Sequence, residues 1–189
     1  SNKSEGIIMD LKEITPEVFY ATNRIVTVEK GDLDFLDKQA GNSPRRRARI
    51  CTHRNADDKL HEMTVTLKKD CYLIPEKHIV KVESYHIIEG MADVVIFDKD
   101  GKITDVVEIG DYSSGRPFYF RLSEPSFYHT LIIRTNKLVY HETATGPFQK
   151  SDTLVAPWAP GVDDIAEQLI YMSELENRVE KFVNNENKK

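Results

Sequence analysis

Four side chains in the sequence have the residue types and spacing of a metal site. Glu76 and His78 are two positions apart, so on a β-strand they point to the same face. Glu83 opens the next apolar run, and His129 lies inside a later one. Two imidazoles and two carboxylates that converge would balance and hold one divalent transition metal, namely Fe, Mn, Zn, Ni or Co.

Strand alternation separates these candidates from other histidines. His86 alternates with Glu83 along one predicted strand, so it points away from Glu83 and is interpreted as structural or surface. His129 shares a face with Phe127 and Leu131, and by itself it would be interpreted as a core histidine. An interpretation without metal stays open, in which Glu76 and His78 form an ion pair that shapes a pocket.

A series of short strands must position these side chains. Apolar runs are separated by Pro, Gly, Asp or Asn, and Asp100-Gly101 is a typical hairpin turn. The predicted strands are residues 63–68, 71–76, 83–89, 92–98, 103–109, 116–121, 127–133 and 137–143. Strands of this number and spacing predict an all-β core, either a double-sheet jelly roll or a small barrel.

Other elements flank this core. We predict an edge strand at Ile25–Val28 and a short helix at Asp32–Ala40. Pro and Trp in residues 156–161 exclude a central strand there. Residues 163–182 predict a helix, whose apolar stripe we interpret as docking on the barrel or on a second subunit.

The chain is divided here into three parts. Residues 1–42 are an N-terminal extension with a short strand and a helix. Residues 43–148 are the β-barrel. Residues 149–189 are a loop and a C-terminal helix packed on the barrel.

Composition excludes several partners. The chain has 189 residues and a net charge of -5, so nucleic acid and anionic membranes are not expected partners. No run of 18 apolar residues and no signal peptide is visible, which predicts no membrane span and a cytoplasmic location. The two cysteines, Cys51 and Cys71, lack CxxC spacing and are interpreted as buried thiols.

A basic run precedes the strands, at residues 43–49. If the substrate carries phosphate or carboxylate, the arginines of this region could bind it through paired hydrogen bonds, namely Arg45, Arg46, Arg47, Arg49 and Arg54. Of these, Arg45 and Arg47 are the chosen substrate-binding residues. The alternative interpretation is a solvated loop.

The spacing of residues 76–90 resembles the first sequence motif of the cupin fold. Four residues separate His78 from Glu83 and six separate Glu83 from Gly90, although Glu76 replaces the usual first histidine. Further segments resemble the WbuC family of cupin-fold metalloproteins. They are Ser43-Pro44-Arg45-Arg46-Arg47, Cys51-Thr52-His53, Glu142-Thr143-Ala144-Thr145-Gly146-Pro147-Phe148 and Ala156-Pro157-Trp158-Ala159-Pro160. Cys51 replaces the asparagine that the family has there.

This resemblance implies a cupin jelly roll, a bound metal and a pathway. WbuC proteins are associated with bacterial surface-polysaccharide (O-antigen) gene sets, so a sugar-like substrate is expected. Glu142 and His53 are the implied proton-transfer groups, with the alternative of an ordinary strand carboxylate for Glu142. Tyr85 and Trp158 are candidates for substrate contact, with core packing as the alternative. A homodimer is expected because cupins often pair through sheet edges.

Three functions remain open from the sequence. The first is a metal-dependent isomerase or epimerase acting on a sugar or nucleotide sugar, since these reactions need a Lewis acid and a base. The second is an Fe(II)-dependent oxygenase with a facial triad. The third is a non-catalytic protein that binds a small molecule and keeps the metal as a structural element.

Overall fold

The structure is a computed structural model, and it describes residues 9–124 and 126–186. Twelve strands and two α-helices follow one another along these residues. The strands are β1 (Leu11–Thr15), β2 (Val18–Ala21), β3 (Arg47–Cys51), β4 (Leu60–Lys68), β5 (Glu76–His78), β6 (Glu83–Glu89), β7 (Met91–Phe97), β8 (Ile103–Gly110), β9 (Tyr119–Leu122), β10 (Tyr128–Ile133), β11 (Lys137–Thr145) and β12 (Thr153–Val155). The helices are α1 (Lys30–Asn42) and α2 (Ile165–Glu186).

The strands form two sheets. One has seven strands in the order β1-β2-β3-β4-β11-β6-β9, and the other has five in the order β12-β5-β10-β7-β8. All strand pairs are antiparallel except β2 with β3. The predicted all-β core, with strands in two sheets and a C-terminal helix, is confirmed.

Three apolar clusters hold these layers together. Alternate residues of both sheets, such as Val65, Val94 and Leu138, fill the space between them. Residues of β7 and β10 that face the other way pack against Leu175 and Val179 of α2. Burying side chains of this size contributes roughly 1.5–3 kcal/mol each, so α2 is attached to the outer face of the five-stranded sheet.

Only the middle of the apolar stripe on α2 is fully buried. Leu175 and Val179 are almost inaccessible to solvent, whereas Ile165 and Leu169 are 70% and 69% exposed. The second half of α2 therefore packs on the barrel, whereas the apolar residues of its first turns stay exposed. No helix among the described residues is long and apolar enough to cross a membrane.

Two predicted strands were wrong. Residues 25–28 are irregular, and the strands of this region are β1 and β2, which extend the seven-stranded sheet. Residues 71–75 are also irregular, because the chain there crosses from one sheet to the other and pairs only at β5. Cys51 and Cys71 are buried free thiols, as predicted.

Turn chemistry fixes the segment that carries the candidate metal residues. Gly90 joins β6 to β7 at φ +91°, a conformation that side chains disfavour. An added Cβ at Gly90 would lie 2.3 Å from the carbonyl oxygen of Lys137. The tight turn therefore requires glycine and sets where β6 ends.

Candidate metal centre

The two sheets bring three of the predicted metal ligands together. His78 lies on β5 and His129 on β10, and these strands are neighbours in the five-stranded sheet. Glu83 is the first residue of β6 in the facing sheet. One ligand atom from each of the three residues lies within 4.8 Å of the others, and all three are buried. The cluster therefore bridges the two sheets.

The hydrogen bonds of His129 require a cation beside it. Its Nδ1 lies 3.2 Å from the carbonyl oxygen of Phe127, which can only accept, so Nδ1 carries a proton. Its Nε2 lies 2.8 Å from Oε1 of Glu83, which is also an acceptor when ionised. Either a second proton or a metal ion must lie between these two atoms. The site is therefore built to hold a positive charge.

The pKa values agree with this charge. Burial is the largest influence on the pKa of His129 and would lower it, but the hydrogen bond to Glu83, the charge of that carboxylate and the contact with Phe127 together outweigh burial and raise it. Burial would raise the pKa of Glu83, but the imidazoles of His129 and His78, together with Lys81, hold it well below its usual range. The site thus pairs a carboxylate that favours its ionised form with an imidazole that favours a proton.

One ring nitrogen of His78, in the same cluster, has no hydrogen-bond partner among the described residues. Its Nδ1 lies 3.2 Å from Oγ1 of Thr153 on β12. Its Nε2 is 3.2 Å from Oε2 of Glu83 without hydrogen-bond geometry, and it has no partner among the described residues. A buried nitrogen of this kind fits a metal ligand, and an N₂O donor set suits first-row divalent ions.

Glu76, the fourth predicted ligand, lies at the edge of this group. Its Oε1 is 4.0 Å from Nε2 of His78, and its side chain is 37% exposed. It does not belong to the buried three-residue cluster. A ligand role for Glu76 stays a prediction that requires its side chain to turn inward.

Charged neighbours extend the cluster across the inner face of the sheet. Lys81 contacts Oε2 of Glu83 at 2.7 Å and Oε1 of Glu142 at 3.4 Å. The hydroxyl of Tyr85 donates to Oε1 of Glu83 at 2.5 Å. Burial raises the pKa of Glu142, and although Lys81 opposes this rise the net shift is upward. Glu142 can therefore carry a proton close to neutral pH more readily than an exposed glutamate.

A cavity of about 680 Å³ opens beside this network. Its lining includes Glu76, Glu83 and His129 from the candidate metal site, and Glu142 and Tyr85 beside them. Among the basic residues, Arg45 and Arg47 also line it. The volume lies in the range of small-molecule sites.

Two predicted site residues lie away from the cavity lining. His53 stacks on His61, with ring centroids 4.1 Å apart, and its Nδ1 lies 3.1 Å from the carbonyl oxygen of Glu62. Trp158 packs on Phe97 outside the five-stranded sheet and donates from Nε1 to the carbonyl oxygen of Lys99. Trp158 therefore packs against the barrel, which was its alternative interpretation. The predicted roles of His53 and Trp158 in the reaction stay predictions.

Lys81 is the site residue that the sequence interpretation missed. It lies in the irregular segment between β5 and β6, where strand alternation gives no direction for a side chain. Its pKa is raised to about 12, because two carboxylates outweigh the effect of burial. The only sequence signal was a lysine two positions before the candidate ligand Glu83.

Comparison with known families gives one match. Residues 28–109 match the model of a domain of unknown function, DUF6016. This segment contains α1, β3 to β7, most of β8 and three of the predicted ligands, Glu76, His78 and Glu83. No curated protein matches the chain significantly.

Comparison with solved structures gives partial matches of low identity. Pac13 from Streptomyces, a nucleoside dehydratase, aligns at TM-score 0.45 and 9% identity over 58% of this chain and 77% of its own. A structural-genomics protein from Shewanella oneidensis gives 0.44 and 9%, over 55% and 66%. Oxalate decarboxylase from Bacillus subtilis gives 0.40 and 17%, over 52% and 24%. The chain therefore spans about two thirds of the second protein and about a quarter of the third.

Proposed function

We propose that this protein is a metal-dependent enzyme that acts on a sugar or nucleotide sugar, in an isomerase-like or epimerase-like reaction. The observation that carries the proposal is the buried His78–Glu83–His129 cluster at the wall of a cavity that also contains Glu142. Isomerisation and epimerisation need a Lewis acid and a proton-transfer group, and this cavity supplies candidates for both.

His78, Glu83 and His129 would hold the metal through two nitrogens and one carboxylate. The metal, when bound, would polarise a carbonyl or hydroxyl oxygen of the substrate. Glu142 would take or return a proton, since it lines the cavity beside the cluster and burial shifts its pKa upward from the ordinary value. Lys81 holds Glu83 and Glu142 in place by contacting both, and Tyr85 fixes the orientation of Glu83.

An Fe(II)-dependent oxygenase is the second candidate. A specific observation favours it, because only one carboxylate belongs to the buried group while Glu76 lies outside. Two histidines and one carboxylate are the ligands of the facial triad, which leaves coordination positions open for oxygen and substrate. Consumption of oxygen by the Fe(II)-loaded protein would select this candidate over an isomerase.

The wider setting follows from the sequence resemblance. We propose that the protein is WbuC-like, that it acts in the cytoplasm in surface-polysaccharide (O-antigen-type) assembly, and that it forms a homodimer. A purified enzyme that accepts only substrates unrelated to polysaccharide assembly would contradict this placement.

Metal analysis of three variants tests the site itself. We expect His78→Ala and Glu83→Ala to lose stoichiometric metal while circular dichroism shows a folded barrel. His86→Ala is the matched control, because His86 is exposed on the opposite face of β6 from Glu83 and should keep full occupancy. Unchanged metal content in both ligand variants would remove the assignment.

A fourth variant tests whether the site is catalytic. Glu142→Gln keeps the shape of the side chain but cannot accept a proton, so we expect normal metal content and loss of turnover. Full turnover in this variant would reject Glu142 as the proton-transfer group. A protein that binds metal and sugar without any turnover would be the non-catalytic binding protein considered above.

A further inference from the structure

The cavity carries a different charge from the rest of the molecule. Its lining contains five basic side chains and four carboxylates, whereas the whole chain has a net charge of -5. The basic residues are Arg45, Arg47, Arg49, Lys81 and Lys150, and the acidic ones are Glu17, Glu76, Glu83 and Glu142. A metal ion in the proposed site would make the cavity more positive still. The cavity therefore favours an anionic ligand in a chain that is otherwise acidic.

Most of these cations are already neutralised by protein carboxylates. Nε of Arg45 lies 3.0 and 2.9 Å from the two oxygens of Glu17, and Nε of Arg47 lies 3.5 Å from the same carboxylate. The hydroxyl of Ser43 donates to Glu17 as well, at 2.6 Å. Arg45 thus serves to anchor β3 to the N-terminal extension.

Arg46 and Lys81 are also engaged. Arg46 is not among the residues that line the cavity, and it binds Asp70 at 2.9 Å and the carbonyl oxygen of Gly41. Lys81 is held between Glu83 and Glu142. Neither side chain has its charge available for a ligand.

Arg49 differs from these residues. It shares the inner face of β3 with Arg47 and Cys51, while Ala48 and Ile50 face α1. Within residues 9–124 and 126–186, no carboxylate oxygen lies within 4.0 Å of its guanidinium. The side chain is exposed to the solvent of the cavity. Arg49 interacts with the thiol of Cys51 and lies in the field of Glu142, but no carboxylate of the described residues pairs with it directly. Its charge is therefore less neutralised than that of Arg45 or Lys81.

We propose that Arg49 binds the oxyanion of the substrate, a phosphate ester or a carboxylate carried by a sugar. This inference rests on the proposed function and specifies its substrate as an anionic sugar derivative. A guanidinium fork matches phosphate and carboxylate geometry, and it gains nothing comparable from a neutral hydroxyl.

Strand order sets the distance between the anion and the metal residues. Arg49 is on β3 and Glu83 is on β6, and β4 and β11 lie between them. Three strand spacings are about 14 Å across the sheet. The strand register places Arg49 level with Ile87, four residues or about 13 Å along β6 from Glu83, and the side chains shorten the gap. The oxyanion would consequently lie at least one sugar ring away from the reacting atoms, which fits a substituent and not the reacting group.

Calorimetric titration with three probes tests this assignment. The metal-loaded protein is titrated with glucose 1-phosphate, glucuronate and glucose at millimolar concentrations. We expect binding of at least one anion and much weaker binding of glucose. The tighter of the two anions identifies phosphate or carboxylate as the preferred group. Equal affinity for glucose and the anions, or no binding of either anion, would overturn the proposal.

Two variants show whether Arg49 is responsible. Arg49→Gln should lower the affinity for the anion at least about tenfold, the loss expected for one charged hydrogen-bonded contact. Arg121→Gln is the control, because Arg121 is exposed on β9 of the same sheet and outside the cavity lining. The anion affinity of Arg121→Gln should stay within about twofold of that of the unchanged protein, a smaller change than the loss of one such contact would cause. Equal anion affinity in Arg49→Gln and the unchanged protein would reject Arg49 as the anchor.

Metal content of the same samples separates this inference from the proposed function. Arg49→Gln should retain full metal, since Arg49 is not part of the His78–Glu83–His129 cluster. Metal binding without anion preference would reject the inference and leave the metal site standing. Anion binding that depends on Arg49, in a protein that binds no metal, would reject the metal site and leave the role of Arg49 standing.

Discussion

Two pairs of buried histidines lie in the same barrel and have opposite chemistry. The rings of His78 and His129 are 5.6 Å apart and steeply inclined at 64°, and both face the carboxylate of Glu83. The rings of His53 and His61 are 4.1 Å apart and nearly parallel at 11°. Among the described residues, the hydrogen-bond partners of His53 are the backbone of Glu62 and the hydroxyl of Tyr20.

The carboxylate of Glu83 accounts for the opposite pKa shifts of His129 and His53. Glu83 raises the pKa of His129 against the effect of burial. Burial lowers the pKa of His53, with no comparable anion to oppose it. His129 therefore favours a cation beside it, whether a proton or a metal, and His53 favours a neutral ring. Burial and residue type alone do not identify a metal site, because both pairs share them.

The largest expected effect comes from the same substitution in both pairs. His129→Gln should reduce affinity for a divalent metal by at least about 100-fold, since even outer-shell partners contribute 10–100-fold. His53→Gln should leave it unchanged. Elemental analysis and competition with a chromophoric chelator measure both values. Equal loss in the two variants would show that the pairs are not chemically distinct.

The pH dependence of metal binding is the next effect in size. A metal must displace the proton on Nε2 of His129, whose pKa lies above the ordinary 6.5. Affinity should therefore rise by about tenfold per pH unit below that pKa and level off above it. Calorimetry in buffers of different ionisation enthalpy should detect about one released proton. A pH-independent affinity between pH 6 and 8 would contradict the two-acceptor geometry of His129 and Glu83.

A smaller effect should appear in the stability of the folded protein when the packing around His53 and His61 is disturbed. An added Cβ at Gly146 would lie 2.6 Å from Nε2 of His61 and 1.9 Å from the carbonyl oxygen of Asp58. Gly146→Ala should thus lower the free energy of unfolding by about 1–3 kcal/mol and leave metal affinity intact. Denaturant titration measures the change. Gly161→Ala is the control because nothing lies within 4 Å of its Cβ position.

The smallest effect concerns stability in acid. The pKa of His53 is lower in the folded protein than its ordinary 6.5, so the folded state favours neutral His53. The corresponding stability is present above pH 6.5 and is lost as the pH falls below it. His53→Gln should therefore flatten the fall in stability between pH 7 and 5. A curve parallel to that of the unchanged protein would show that His53 does not titrate with folding.

Strand alternation predicted much of the site. It placed Glu83 and Tyr85 on the inner face of β6 and His86 on the outer face, as the structure has them. The assignments on β6 depend only on the two-residue repeat of a strand, which holds wherever the strand itself is correctly predicted. The choice of Glu142 over its neighbour His141 on β11 came from the resemblance to the WbuC family, and Glu142 lines the cavity.

Residues outside regular strands could not be placed in this way. Lys81 lies in an irregular segment, and the wrongly predicted strand at residues 25–28 has apolar residues but no strand partner. Arg45 and Arg49 belong to one basic run, yet Glu17 neutralises the first and leaves the second open to the cavity. Glu17 is 28 positions from Arg45, and no local pattern predicts that contact.

The amino-acid sequence by itself determined the all-β core and put Glu83 and His86 on opposite faces of β6, because both follow from hydrophobic periodicity within single strands. Only the tertiary structure decided that His129 meets Glu83 and that His53 does not. Those contacts depend on which strands face each other across the two sheets. Long-range pairing of this kind is set by the packing of the whole core, and a strand carries no local record of its partner.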